Sequence, residues 1–156
     1  MKISEVLSVD TIKLNLHVDD KNDLIEQLIL LAGKSGNITD VEEVRNEVFE
    51  REKIMTTGVG KGIALPHAKT NAISATTAAL GILAEAVDYD SLDDKEVNIA
   101  FLLLGMEGQI GEHLRLLSKI SRLMGNEFFR TELLSSKSPN DIMNLFKTYE
   151  ESGFNN

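Results

Sequence analysis

The stretch TTGVGKGIALPHAK, at residues 56–69, is the part of the sequence around which the rest of the chain is organised. Three glycines stand at alternate positions and give the backbone unusual conformational freedom. An apolar run follows, and Pro66 then fixes its own φ near about −65° and biases the preceding residue toward an extended conformation. The pattern predicts a pliant loop, a very short strand, and an imidazole, His67, held on a stiffened backbone.

Length and composition limit the classes of protein to which the chain can belong. Its 156 residues suit one domain, residues 1–156, with a sizeable core. There is no cysteine, which excludes disulfides, thiolate metal sites and a cysteine nucleophile. The net charge of −9 disfavours binding to nucleic acid and to anionic membranes. The longest apolar run is too short to span a bilayer and no signal peptide is evident, so we expect a cytoplasmic protein without direct membrane insertion.

Hydrophobic periodicity predicts the elements ahead of the glycine-rich stretch. Apolar and polar residues alternate from 11 to 18, as in a strand with one buried face. Acidic residues followed by an apolar stripe and then glycine are typical of a helix with its caps. The predicted elements are a helical turn at 3–7, a strand at 11–18, a helix opened by Asp19 and Asp20 and closed by Gly33 and Gly36, and a helix capped by Thr39 or Asp40 that ends near 51–53.

The second half of the chain predicts a central strand followed by helices. Residues 97–104 form an apolar run bounded by turn signals, which indicates a strand buried on both faces. The other predicted elements are a strand at 76–86, a loop at 105–111, a helix from Glu112, a short helix near 127–134, a last helix capped by Ser138, and a frayed tail at 152–156. This order of elements predicts an α/β domain with a mixed sheet and helices on both faces.

Several familiar sites can be excluded from the residues themselves. A P-loop requires Ser or Thr after Gly-Lys, but Gly62 follows Lys61 here. A dinucleotide fingerprint requires a third glycine where Ile63 stands, and it lies between a strand and a helix, whereas this stretch follows a helix. The three histidines show no metal-ligand spacing, and no Gly-x-Ser-x-Gly elbow supports a serine nucleophile.

A phosphoryl-transfer site is one hypothesis among several for the remaining candidates. His113 stands in the first turn of a predicted helix, where free N–H groups favour phosphate. A neutral imidazole of His67 could act as a nucleophile, and Arg51 could add a bidentate guanidinium. The alternatives are a structural histidine at 67, a capping residue at 113, and a surface ion pair between Arg51 and Glu47.

Two separated motifs resemble those of a known family, in the same order along the chain. The first comprises RE at 51–52 and TGVGKGIALPHAK at 57–69; the second comprises FLLL at 101–104 and EHLRLLSKISRL at 112–123, with further likeness at 128–142. They resemble the fructose/mannitol-type enzyme IIA domains of the bacterial phosphoenolpyruvate-dependent sugar phosphotransferase system, including its nitrogen-regulatory branch. The resemblance covers about residues 7–149.

The resemblance implies a role for each candidate residue. His67 matches the phosphorylated histidine, with Nε2 as the expected site. Arg51 matches the arginine that holds phosphate, His113 matches the second active-site histidine, and Thr57 matches a hydroxyl beside the site. The implied fold is a three-layer α/β/α sandwich with a mixed central sheet, and neither a metal nor a cofactor is implied.

The resemblance also implies partners. The phosphoryl donor would be an HPr-like phosphocarrier protein, and the acceptor an enzyme IIB, whose cysteine this chain does not contain. Alternatively, the phosphoryl group would serve as a regulatory mark read by a target protein. We expect the glycines at 58–62 to leave room for the partner's active site. A different class of function, a binding module whose contacts are independent of phosphorylation, remains the alternative.

Overall fold

The computed structural model of the protein describes residues 1–153. Its helices are α1 (Ile3–Val6), α2 (Lys21–Gly33), α3 (Val41–Ile54), α4 (Ile110–Met124), α5 (Glu127–Ser135) and α6 (Pro139–Glu151), with a 3-10 turn at Val9–Thr11. Its strands are β1 (Ile12–Leu16), β2 (Gly58–Gly60), β3 (Ile63–Ala64), β4 (His67–Thr70), β5 (Thr77–Val87) and β6 (Val97–Met106). Residues 154–156 of the predicted frayed tail lie outside the described part.

One mixed sheet joins the strands in the order β1-β5-β6-β3-β2, and β4 also pairs with β6. The pairs β1–β5, β3–β6 and β4–β6 are parallel, whereas β5–β6 and β2–β3 are antiparallel. The long apolar strand β6 therefore lies at the centre, as its sequence predicts, and it holds β3 and β4 end to end along one side. This arrangement fixes the position of His67, which is paired in register with Leu103.

Two apolar cores cover the two faces of the sheet. One contains side chains of α1, α4, α5 and α6 packed on residues such as Leu65 and Phe101, and the other contains side chains of α2 and α3 packed on residues such as Ala68 and Leu102. Adjacent residues of a strand point to opposite faces, so each buried strand contributes to both cores. The three-layer α/β/α sandwich with a mixed sheet is confirmed.

The helix starts follow the capping residues that the sequence offers. Asp20 accepts a hydrogen bond from the backbone N–H of Asp23 at 2.8 Å, and Asp40, rather than Thr39, caps α3. Ser138 caps α6 with Pro139 in its first turn. The helix predicted to start at Glu112 begins two residues earlier, at Ile110.

The very short strand predicted within the glycine-rich stretch is confirmed as β3, whereas the residues ahead of it, predicted as a loop, contain the strand β2. The two strands form an antiparallel hairpin whose turn places Lys61 at φ 59° and Gly62 at φ 81°. A Cβ at Gly58 would lie 2.4 Å from Ser91 Oγ, so this glycine permits a close internal contact. These glycines have roles in the hairpin turn and in packing, and the expectation that they leave room for a partner stays a prediction.

Candidate functional site

His67 is held by its own backbone neighbourhood. It is the first residue of β4, directly after Pro66, and its ring is half-buried. Nδ1 lies 2.8 Å from the carbonyl oxygen of Leu65. Because a carbonyl oxygen can only accept a hydrogen bond, Nδ1 carries the proton of the neutral ring. Nε2 is then the nitrogen that holds the free electron pair.

His113 comes from a different element and faces the same place. It is the fourth residue of α4 and only 5% exposed, and its ring centroid lies 5.7 Å from that of His67. Its Nδ1 is buried and has no hydrogen-bond partner in the described part of the chain. A Cβ at Gly105 would lie 2.3 Å from this nitrogen, so the imidazole occupies space that only a glycine at 105 leaves free.

Arg51 completes the group at the end of α3. A cleft of about 770 Å³ separates the C-terminal turns of α3 from the start of α4, and Arg51, His67 and His113 all line it. Arg51 Nη1 donates to the carbonyl of Met55 at 2.9 Å. The alternative of an ion pair with Glu47 is not observed, although Glu47 lines the same cleft.

Burial keeps both imidazoles neutral at physiological pH. The pKa of His67 is lowered from its usual value, first by burial and then by the charge of Arg51, against the opposing effect of the hydrogen bond to Leu65. The pKa of His113 is lowered to about 4, mainly by burial and further by the neighbouring His67 and Lys69. A neutral ring is the form in which Nε2 of His67 can act as a nucleophile.

Thr57 does not line the cleft. It is 3% exposed, and the carboxylate of Glu52 accepts hydrogen bonds from its backbone N–H at 2.7 Å and from its hydroxyl at 2.5 Å. Its Oγ1 also lies 3.1 Å from the Tyr89 hydroxyl. The resemblance implies a hydroxyl beside the site, whereas in the structure this hydroxyl is hydrogen-bonded to Glu52 and Tyr89 and is not part of the cleft lining.

The cleft contains residues that the sequence did not single out. Lys69 follows His67 by two positions on β4, so both side chains leave the same face of the strand and reach the cleft. Glu50 and Glu107 lie at its edges. The period of two along β4 could have revealed Lys69, but only if residues 67–70 had been recognised as a strand.

Within residues 1–153, no group of three or more His, Cys, Asp or Glu side chains lies close enough to hold a metal ion. The same residues include no helix long and apolar enough to cross a membrane. The third histidine, His17, is exposed and does not line the cleft.

An α/β/α sandwich that presents two neutral imidazoles and a guanidinium in one cleft is a scaffold suited to an anionic group. The sequence model of the family described as "Phosphoenolpyruvate-dependent sugar phosphotransferase system, EIIA 2" matches residues 5–149. The chain therefore belongs to this family of phosphotransferase components, and the resemblance seen in the sequence is confirmed.

Similar proteins include one that is several times longer than this chain and others that are of about the same length. The chain is 34% identical over 151 residues to the "PTS system fructose-specific EIIABC component" of Bacillus subtilis, covering 97% of this chain but 24% of that protein. It is 36% identical over 143 residues to the "PTS system fructose-specific EIIA component" of Haloferax volcanii, covering 92% and 93%. The structure of the nitrogen regulatory protein IIA-Ntr from Neisseria meningitidis is 31% identical, with a TM-score of 0.86 and coverage of 92% and 98%.

Proposed function

We propose that Nε2 of His67 accepts a phosphoryl group from an HPr-like phosphocarrier protein. The group then passes to an enzyme IIB or stays as a regulatory mark that a target protein reads. The observation that carries this proposal is the hydrogen bond from Nδ1 of His67 to the carbonyl of Leu65, which leaves Nε2 as the nucleophilic nitrogen. Residues 1–156 act as one enzyme IIA domain in this proposal.

The transfer needs no further reactant. The electron pair of Nε2 forms a bond to phosphorus as the bond between phosphorus and the donor's histidine breaks. The electron pair of the broken bond stays on the nitrogen of the donor's histidine. Nδ1 of His67 keeps its proton, so the phosphorylated ring is cationic and its N–H remains directed at the carbonyl of Leu65. The reverse displacement by an acceptor thiolate restores the neutral ring.

Arg51 and His113 supply the electrostatic part of the site. The guanidinium of Arg51 pairs with the phosphoryl oxygens, which carry charge throughout the transfer. His113 is neutral and buried against Gly105, so it acts as a hydrogen-bond donor to those oxygens and not as a second carrier. Thr57 supports the site from behind the cleft through its hydrogen bonds and does not contact the phosphoryl group.

The rim of the cleft favours a protein as donor and acceptor. Ile54, Ile110 and Leu114 line the cleft, and they are 80%, 53% and 59% exposed. Large exposed apolar side chains grouped around a reactive residue are typical of a docking surface. A phosphorylated protein partner would cover them while its own reactive residue enters the cleft. Because such donors are charged with phosphate from phosphoenolpyruvate, we place the protein in the cytoplasm.

Two downstream roles are compatible with the same site. The name of the Haloferax volcanii relative specifies fructose, and that of the Neisseria meningitidis structure specifies nitrogen regulation. In the first role the phosphoryl group moves on to an enzyme IIB. In the second the phosphorylation state of His67 alters the binding of a target protein.

The test is phosphorylation in a reconstituted system of phosphoenolpyruvate, enzyme I and HPr, followed by mass spectrometry of the intact protein. We expect one acid-labile, base-stable phosphoryl group, which His67→Ala abolishes and His17→Ala, a matched change at an exposed histidine, retains. His113→Ala slows the labelling but leaves His67 to be labelled. If wild-type protein gains no mass while a known enzyme IIA does, the phosphocarrier role is wrong, and binding independent of phosphorylation becomes the better account.

A further inference from the structure

A buried carboxylate lies behind the cleft, and both of its oxygens have hydrogen-bond or ion-pair partners. Glu52 is the neighbour of Arg51 in the last turns of α3 and is 9% exposed. Besides the N–H and hydroxyl of Thr57, it accepts from the Tyr89 hydroxyl at 3.3 Å and pairs with the ammonium group of Lys21 at 3.1 Å. These contacts join α2, α3, the start of the β2–β3 hairpin and the segment after β5 at a single side chain.

The contacts continue from this carboxylate to the reactive imidazole. The carbonyl of Thr57 accepts a hydrogen bond from the N–H of Leu65 at 2.9 Å. The carbonyl of Leu65 in turn accepts from Nδ1 of His67 at 2.8 Å. Thr57 is thus held at its N–H and hydroxyl by Glu52, and it holds the one residue whose carbonyl orients His67.

We propose that Glu52 and Thr57 are positioning residues for His67, acting through Leu65 to fix both the orientation and the tautomer of its ring. The proposal rests on the proposed function of His67 as the phosphoryl acceptor. Neither residue contacts the transferred group. Their effect is to keep the carbonyl of Leu65 where it binds Nδ1–H, so that Nε2 faces the cleft as the free nitrogen.

The physical reason is that Thr57 is the partner of the Leu65 N–H itself, whereas the next backbone hydrogen bond, from the N–H of Leu103 to the carbonyl of Pro66 at 3.1 Å, lies beyond the Leu65 carbonyl. Pro66, which follows Leu65, has no N–H and cannot anchor the backbone by donating a hydrogen bond. The strand β3 ends at Ala64, so Leu65 lies between two short strands and outside either one. The bond from the N–H of Leu65 to Thr57 therefore restrains Leu65 on one side of its carbonyl, and the bond from Leu103 to Pro66 restrains the chain on the other side. Rigid support behind a reactive group is what keeps it within reach of its productive geometry.

The buried setting makes the restraint stiff. Burial and the nearby carboxylate of Glu52 raise the pKa of Tyr89 well above its usual range, so Tyr89 stays protonated and acts as a donor. Lys21 places its ammonium group 4.6 Å from the centroid of the Tyr89 ring while pairing with Glu52, which supplies the charge that a buried carboxylate requires. A carboxylate with all of these partners cannot move without breaking several contacts at once.

The test compares Thr57→Val, which removes only the hydroxyl, with Thr57→Ser, which restores it. Thr11→Val is the matched control, because Thr11 is also a buried threonine with a hydrogen-bonded hydroxyl, but it lies beside β1 at the opposite edge of the sheet. Two readouts are taken on each full-length variant. One is the tautomer of His67, from the ¹⁵N chemical shifts of its ring nitrogens, and the other is the steady-state rate of phosphorylation by HPr.

For wild type we expect a single tautomer with the proton on Nδ1. Thr57→Val should give a mixture of tautomers and lower kcat by about 10-fold to 100-fold, as for other partners that orient a functional imidazole, with KM for HPr unchanged because Thr57 is buried. Thr57→Ser and Thr11→Val should keep the wild-type tautomer and rate. Glu52→Gln should resemble Thr57→Val, because an amide has only one oxygen to accept hydrogen bonds from Thr57 and Tyr89.

Three outcomes would overturn the inference. The first is a proton on Nε2 of His67 in the unphosphorylated wild type, which needs no variant to fold. The second is a Thr57→Val protein with the wild-type tautomer and rate, and the third is an equal loss of kcat in Thr11→Val. Because the tautomer is measured without phosphorylation, its result stands even if the wild type accepts no phosphoryl group. A wild-type protein that accepts no phosphoryl group would count against the proposed function alone.

Discussion

Replacement of Gly105 by alanine tests how His113 is placed, because the change adds one methyl group beside the ring. The added Cβ would lie 2.3 Å from Nδ1 and 3.0 Å from Cγ of His113, whereas ordinary contacts begin at 3.4 Å. The imidazole must therefore retreat by about 1 Å or rotate out of its place. A displacement of about 1 Å in a catalytic group can cost about 100-fold in rate. Overpacking of this kind also costs about 1 to 3 kcal/mol of unfolding free energy.

The assay is the rate of phosphorylation by HPr, measured beside a thermal melt. We expect Gly105→Ala to slow transfer as much as His113→Ala does, and to lower Tm by several degrees, since about 1 kcal/mol corresponds to roughly 2–4 °C in a domain of this size. In the double variant the ring that the methyl group meets is gone. The alanine at 105 should then cause no further loss of rate and only a small change in Tm.

The reasoning fails if Gly105→Ala transfers phosphate at the wild-type rate with the wild-type Tm. It also fails if the losses caused by Gly105→Ala and His113→Ala simply add in the double variant. Additivity would mean that the methyl group acts on something other than the imidazole of His113.

Four further predictions concern charge in the cleft. Arg51→Lys should lower the rate of transfer by at least about 10-fold, because an ammonium group cannot pair with two phosphoryl oxygens at once, and stopped-flow transfer from phosphorylated HPr measures this. Lys69→Gln should shorten the lifetime of the phosphorylated protein, because it removes a positive charge from the lining of the cleft. Lys13→Gln, at an exposed lysine of β1 that does not line the cleft, should leave the lifetime unchanged. Since the pKa of His67 is lowered, its neutral nucleophilic form persists below pH 6.5. As the pH is lowered, the rate of phosphorylation should fall with a midpoint below 6.5, and a midpoint above 6.5 would contradict the burial of the ring. The pKa of His113 is also lower in the folded state, at about 4, so the unfolded state binds protons more tightly between pH 6.5 and 4. Urea titrations should therefore show that wild type loses more stability than His113→Gln as the pH is lowered over that range.

The elements with strong periodicity were predictable because the local pattern of apolar and polar residues shows which faces are buried. Alternation marks β1, and an unbroken apolar run marks β6, since one is buried on one face and the other on both. β4 shows neither alternation nor an apolar run. Its residues 67–70 become a strand because β6 offers them a parallel partner along residues 103–106. The very short strand β3 was predicted, but β2 was not, because its glycines indicate a loop unless the pairing with β3 is known.

The site was predictable in its reactive groups and not in its supports. His67, Arg51 and His113 were singled out from residue type and position at element ends, and the folded sheet brings all three to one cleft. The position of Thr57 depends on Glu52 and on Tyr89, which lies 32 residues further along the chain. No local pattern shows that a buried carboxylate will bind that hydroxyl from within the fold.

The central claim is that Nε2 of His67 carries the phosphoryl group, and the nitrogen–phosphorus bond can be observed directly. The protein is labelled with ¹⁵N at its histidine rings, phosphorylated through phosphoenolpyruvate, enzyme I and HPr, and studied by ¹⁵N and ³¹P NMR. The structure predicts a one-bond coupling between phosphorus and Nε2 of His67, with Nδ1 of the same ring still protonated. Coupling to Nδ1 of His67, or to either nitrogen of His113, would contradict the account.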